Sequence, residues 1–313
     1  MSMLNKFTRA RFAFPVLMAA AILMPAFAGA QLKQPLLNEN DLKRVSDHVY
    51  VIEGFPNVAI VVGSRATLVV DTGLGERNGA TVMRAEQKVA KGSILYLTTT
   101  HFHSEHTSGE SAFPPGTIII RNRAQQDEMD KGVAAHIEAF KKMSDQNLGL
   151  LQNVKFRPPD VVYDREAKLD LGGVTARLFW IGPAHTKGDE LIFVDEDGVL
   201  IPGDIVQKSI FPIMPNPDAN LKGWLSILDQ VEALHPKFIV PDHGPSIVDA
   251  TQIAVVRAYL IALQARALDL KKQGVSVDDA GKTITAELKA KYPDWPNPNN
   301  VAGEVQRVYE QNP

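Results

Sequence analysis

In the stretch Thr98-Thr99-Thr100-His101-Phe102-His103-Ser104-Glu105-His106, three of the chain's eight histidines and one carboxylate fall within six positions. Imidazole and carboxylate are ligands for zinc, and also for iron or manganese. His101 and His103, two apart after the apolar run Ile94-Leu95-Tyr96-Leu97, face one way where a strand ends. The turn that follows can bring Glu105 and His106 toward a second ion. The stretch is therefore read as a multidentate metal site.

A rigid frame must hold such a site, and the surrounding pattern supplies one. Runs at 49–52, 58–62, 66–71, 94–97, 117–120, 174–180, 191–194, 198–201 and 238–240 read as strands. Helices are expected from about 77 to 91, from 123 to 143 and across 219–235, where Leu221, Trp224, Leu225, Leu228, Val231 and Leu234 form a helical stripe. Residues 146–165 read as loop-rich. Beyond 250, Ile253, Val256, Leu260, Leu263, Ala267 and Leu270 mark an amphipathic helix stopped at Gly274. Ser276 and Asp279 read as a capping box for a helix to about Tyr292, and a last short helix is expected near 301–310. Strands alternate with helices, and each candidate ligand follows a strand, so a sheet scaffold carries the chemistry at one edge.

These residues resemble the metallo-β-lactamase superfamily of metal-dependent hydrolases. Five motifs stand in the family's order: the strand ending in Asp71-Thr72-Gly73, the histidine box, Gly182 to Asp189, Gly203-Asp204, and Asp242-His243-Gly244. The resemblance spans nearly all of the chain from Asp71 to His243. It implies an α/β fold, an αββα sandwich with additional C-terminal helices. His101, His103 and His185 would hold the first metal, Glu105, His106 and His243 the second, and Asp204 would bridge them. Asp71 and Asp189 would orient ligands. The family usually has Asp at the position of Glu105, whose extra methylene shifts or weakens the second ion. His48, His136 and His235 match no motif; His136, on an expected helix, and His235, just before a proline, are read as structural or solvated.

The resemblance implies a zinc-dependent hydrolase with two Zn2+ per chain, the second dependent on Glu105. Zinc lowers the pKa of bound water from 15.7 to about 7. Asp204, with Glu105, is the expected catalytic carboxylate, orienting the nucleophile and shuttling its proton. The expected substrate is a small molecule with a reactive carbonyl: a β-lactam, lactone, ester or thioester. The alternatives are a mononuclear iron sulfur dioxygenase and a non-catalytic periplasmic accessory protein. With no Cys, the chain lacks the thiolate ligand of the best-known lactamase subclass, and the bridging Asp204 brings it closer to glyoxalase II and lactonases. Specificity is expected from 146–165, the Lys208-to-Pro215 segment and the C-terminal helices, with Phe211, Ile213 and Met214 at an apolar pocket or in the core.

Other chemistries lose their motifs. Asn78 breaks a dinucleotide fingerprint begun at Gly73-x-Gly75, and Ser276 stands where a phosphate loop ending in Gly281-Lys282-Thr283 needs its first glycine. No G-x-S-x-G elbow is present.

Lys6, Arg9 and Arg11 precede an apolar stretch from Phe12 to Met24, and Ala26-Phe27-Ala28 or Ala28-Gly29-Ala30 follows as a cleavage site. The run is shorter than the roughly 20 residues that span a bilayer, so it reads as a cleaved signal over residues 1–30. A periplasmic or secreted protein is expected, with no membrane attachment after cleavage. The organisation expected is 31–250 as the metal-binding domain, with 251–313 as helices packed on it. Losing the leader removes three of 33 basic residues and none of 36 acids, taking the formal charge from −3 to −6. An acidic chain without a basic run has no footprint for nucleic acid. Zero Cys in an exported chain leaves stability to the core and the metal.

Overall fold

The computed structural model describes residues 36–214 and 219–312. The expected leader at 1–30 lies outside the described residues, as does Pro215.

Two sheets form. The first has seven strands in chain order: β1 (Leu42–Arg44), β2 (Val49–Ile52), β3 (Val58–Val62), β4 (Ala66–Val70), β5 (Ile94–Thr98), β6 (Ile118–Asn122) and β7 (Val161–Tyr163). The pairs from β1 to β4 are antiparallel, and those from β4 to β7 parallel. The second sheet runs β12-β11-β10-β9-β8, from β8 (Glu166–Asp170), β9 (Thr175–Phe179), β10 (Leu191–Val194), β11 (Val199–Ile201) and β12 (Phe238–Ile239). Within it only β11 and β12 are parallel. Parallel pairs need long crossovers, supplied by α1 (Gly75–Val89) between β4 and β5 and by α5 (Leu221–Glu232) between β11 and β12.

Side-chain alternation along the strands builds the layers. Val49, Val51, Ala59, Val61, Leu68 and Val70 turn one way and meet Ala176, Leu178, Ile192, Val194, Val199 and Ile201 of the other sheet. Their neighbours Ile52, Val58, Ile60, Val62 and Val69 turn outward onto Val82, Met83 and Ala85 of α1. On the far face, Leu191, Phe193, Leu200 and Ile239 meet Trp224, Ile227 and Leu228 of α5. Helix, sheet, sheet, helix is the result. Strands buried on both faces read as continuous apolar runs, which is why β3 and β4 were legible.

α6 (Thr251–Lys272), α7 (Val277–Lys291) and α8 (Asn300–Gln311) extend that last layer. The predicted stripe of α6 is buried in the same cluster as Trp224, together with Ile284, Val301, Val305 and Val308. Gly274 takes φ +77 just past α6, and Ser276 Oγ accepts from the Asp279 amide at 3.2 Å, as the capping pattern predicts.

The structure holds elements that were not expected, among them β1. The stretch 146–165 holds most of α4 (Asp145–Leu150), capped by Ser144, and all of β7. It reads as loop because both elements are short and partly exposed. β8 was missed because it is an edge strand whose alternate residues face solvent, leaving Glu166-Ala167-Lys168-Leu169-Asp170 polar in composition. None of the described helices is long and apolar enough to cross a membrane.

Candidate metal centre

The seven sequence-predicted ligands come together in a buried hollow past the C-terminal ends of β5, β11 and β12, where the sheets meet. β5 delivers His101 and His103 on the loop ahead of α2 (Ser104–Thr107), which carries Glu105 and His106. His185 sits on the loop between β9 and β10, Asp204 on a 3-10 turn after β11, and His243 just after β12. Gly203 takes φ +61, and a Cβ there would lie 3.0 Å from that of Thr100, so the turn bearing Asp204 can close on the β5 loop.

Three imidazole nitrogens converge. His101 Nε2 and His185 Nε2 lie 3.1 Å and 3.2 Å from His103 Nδ1. Glu105, His106 and His243 form a second group whose ligand atoms all lie within 4.8 Å of one another. Asp204 reaches both groups, with Oδ2 3.4 Å from His185 Nε2 and Oδ1 3.5 Å from His243 Nε2.

Hydrogen bonds behind the imidazoles decide which nitrogen is left for the hollow. His185 Nδ1 donates to the Ile213 carbonyl at 2.7 Å, freeing its Nε2. His106 Nδ1 donates to Asp71 Oδ2 at 3.0 Å, with Asp242 Oδ2 3.3 Å away. His101 Nδ1 donates to the Thr100 hydroxyl at 3.1 Å, and that hydroxyl donates to Asp242 Oδ2 at 2.7 Å. Each unprotonated Nε2 then carries a lone pair suited to a cation. Asp71 holds φ +73 at the end of β4, a left-handed conformation costly for a non-glycine residue. There its carboxylate accepts the Thr100 amide at 2.7 Å as well as the His106 proton.

The electrostatics suit a cation. Burial pushes Glu105 up to about 7 and raises Asp204. Burial and the neighbouring imidazoles hold His101 and His103 well below the ordinary range, and His243 falls to about 3. His106 goes the other way: burial opposes its charge, but Asp71 and Asp242 raise it well above its usual value. Four buried atoms, Glu105 Oε2, His106 Nε2, Asp204 Oδ1 and His243 Nδ1, have no hydrogen-bond partner. Buried polar atoms are rarely orphaned in this way. Two of them, His106 Nε2 and Asp204 Oδ1, belong to the ligand groups, so the donor set fits a bound metal. The extra methylene of Glu105 does not take it out of its group.

Asp71 touches His106, one of the predicted ligands. Asp189 acts one step back: it accepts from the Ala184 and Thr186 amides and the Thr186 hydroxyl, fastening the loop of His185 without touching the ring. Of the unmatched histidines, His48 pairs with Asp197 and His235 is exposed.

Sequence reasoning missed three residues. Thr100 and Asp242 lay inside the motifs, but their contact spans 142 positions. His136, on α3 (Arg123–Lys141), stacks on His103 with centroids 4.2 Å apart and planes 4° apart. Burial, reinforced by His106, pushes its pKa down to about 4. Nothing in its sequence neighbourhood signals this position.

A 600 Å3 cavity opens beside the hollow, lined by Phe55, His103, Glu105, His136, Phe140, Met143, Asn147, Ile213 and Met214, with Asn297, Asn299, Asn300 and Gly303 around the start of α8. Ile213 and Met214 thus face it, and the C-terminal helices form one wall. Phe211 does not: it is fully buried among Tyr259, Tyr292 and Trp295.

The family model described as the metallo-beta-lactamase superfamily matches residues 51–243. Among curated proteins, a linear primary-alkylsulfatase of a Pseudomonas species is 22% identical over 215 residues, 58% of this chain and 40% of the alkylsulfatase. Among solved structures, a metallo-beta-lactamase from Pontibacter korlensis superposes with a TM-score of 0.57 at 18% identity, covering 74% of this chain and 99% of that one. The stereoselective inverting sec-alkylsulfatase Pisa1 from Pseudomonas sp. gives 0.66 at 15% identity, over 87% and 50%. A double mutant of the same sulfatase gives 0.71, over 86% and 50%. The chain therefore spans half or less of the alkylsulfatases it matches.

Proposed function

Because the chain belongs to the metallo-β-lactamase superfamily, we propose that it is a zinc-dependent hydrolase of small apolar esters, with two ions per chain. The observation that carries this is the pair of buried ligand groups sharing Asp204 beside an apolar cavity. His101, His103 and His185 would hold one ion, Glu105, His106 and His243 the other, with Asp204 between. When bound, such ions supply Lewis acidity and bring the pKa of coordinated water toward 7.

The chain's own residues do the rest. Asp204, its two oxygens facing the two groups, is placed to orient the attacking water and take its proton. Thr100, Asp71 and the Ile213 carbonyl hold the imidazoles in one tautomer, so no reorganisation is needed on binding. Phe55, Phe140, Met143, Ile213 and Met214 would bury the substrate's apolar part and exclude water.

Two chemistries fit that pocket. No lysine or arginine lines it among the described residues, which favours an uncharged carbonyl ester, thioester, lactone or β-lactam. A sulfate ester is the second reading, supported by the likeness to alkylsulfatases.

The test is elemental analysis of the purified protein, with Glu105→Ala and His101→Ala alongside. About two zinc ions per chain are expected, with one lost in Glu105→Ala. One iron per chain, unmoved by Glu105→Ala, would overturn the reading in favour of a dioxygenase, and no tightly held metal would favour an accessory protein. Rates on a β-lactam, a lactone, a thioester, a carboxylic ester and an alkyl sulfate then decide the substrate class.

A further inference from the structure

His136 is the one imidazole at the hollow that belongs to neither ligand group. Its ring lies flat against His103 and 4.8 Å from Phe140, so its plane is fixed from both sides. Its Nδ1 accepts from the Ser104 backbone amide at 3.1 Å and lies 2.9 Å from the Ser104 hydroxyl. An amide can only donate, so Nδ1 carries a lone pair and the proton of the neutral ring is on Nε2. That N–H makes no hydrogen bond among the described residues, and the ring lines the apolar cavity beside His103 and Glu105.

We propose that His136 is a specificity-determining residue whose Nε2–H donates to an oxygen of the substrate, the carbonyl or leaving-group oxygen of an ester whose apolar part fills the cavity. The assignment rests on the hydrolase reading for its substrate but on the fold alone for its geometry. Four asparagines, Asn147, Asn297, Asn299 and Asn300, also line the cavity, but His136 is the donor stacked on His103, so it places an oxygen beside the ligand groups. A purely structural role, propping the ring of His103, would need only the flat face. The two roles separate by substitution: His136→Phe keeps a flat ring and loses the donor, whereas His136→Gln loses the ring and can place an amide N–H near the position of Nε2.

The probe is hexanoate, an oxyanion on an apolar chain, titrated calorimetrically into the zinc-loaded protein and followed by NMR of labelled histidine. The expected wild type shows His136 protonated on Nε2 alone, with that resonance shifting as hexanoate binds. His136→Phe should keep the wild-type zinc content and bind hexanoate about tenfold more weakly, the loss expected for a hydrogen bond to a charged group. His136→Gln should stay within about threefold of wild type. Unchanged affinity in His136→Phe, a proton on Nδ1, or no hexanoate binding by the wild type would each overturn the proposal. Should His136→Phe fail to fold, an Nε2–H resonance unmoved by bound hexanoate overturns it. None of these readouts needs turnover, so a protein that cleaves no ester sinks the hydrolase reading separately.

Discussion

Thr100 shows how much one hydroxyl can organise. It accepts from His101, donates to Asp242, and lies 3.1 Å from Asp71, so one side chain joins a ligand of the first group to the two carboxylates behind His106. Thr100→Val keeps the shape and removes every one of these contacts. Buried partners left unpaired are costly, and loss of such a support typically weakens a metal site 10–100-fold. Zinc affinity, measured by competition with a chromophoric chelator, is therefore expected to drop about tenfold or more, and the melting temperature of the chelated protein to fall as well. Wild-type affinity in Thr100→Val would show that the hydroxyl does not set the His101 tautomer.

At the scale of elements, the site depends on how tightly α1 approaches the loop after α2. A Cβ on Gly79 would sit 2.1 Å from the Gly109 carbonyl oxygen, and Gly109 itself is packed against the Thr72 carbonyl. On propensity alone, alanine in mid-helix would stabilise by up to about 1 kcal/mol. The clash is with backbone, so it cannot be relieved by a rotamer, and overpacking of this kind costs typically about 1–3 kcal/mol. Gly79→Ala is thus expected to lower stability in urea unfolding, and to loosen zinc because α2, which leads into that loop, carries Glu105 and His106. A more stable Gly79→Ala would mean that α1 can shift without disturbing the loop.

Across the whole molecule, two of the C-terminal helices are tied to each other by a buried pair, Tyr259 of α6 donating to Glu304 of α8 at 2.5 Å. Burial pushes the Glu304 carboxyl up to about 8, against the hydrogen bond from Tyr259, which lowers it. The ordinary value is 4.5, so between roughly pH 4.5 and 8 the folded state binds the proton more tightly than the unfolded chain. Its contribution to stability is fully present below pH 4.5 and is lost as pH rises through 8, with a slope of at most about 1.4 kcal/mol per pH unit. Glu304→Gln removes this dependence. Urea unfolding at pH 5 and pH 8 should show the variant gaining on wild type as pH rises, and the difference cancels the titration of the metal site. A constant gap between the two proteins would place the carboxyl outside the buried pair.

Much of this was legible before any coordinates. The double-sided apolar runs of β3 and β4, the stripes of α5 and α6, and ligands set just past strand ends are local patterns, governed by side-chain period and by which residue types bind metals. The metallo-β-lactamase motifs stood in order along the chain, and the family match over 51–243 agrees with them. What the chain could not reveal is distance across it. Asp242 reaches Thr100 over 142 positions, Ile213 orients His185 over 28, and His136 returns from α3 to lie on His103. Those contacts follow from sheet order and helix packing, so only the tertiary structure decides which nitrogen of each histidine faces the hollow and which residues wall the cavity.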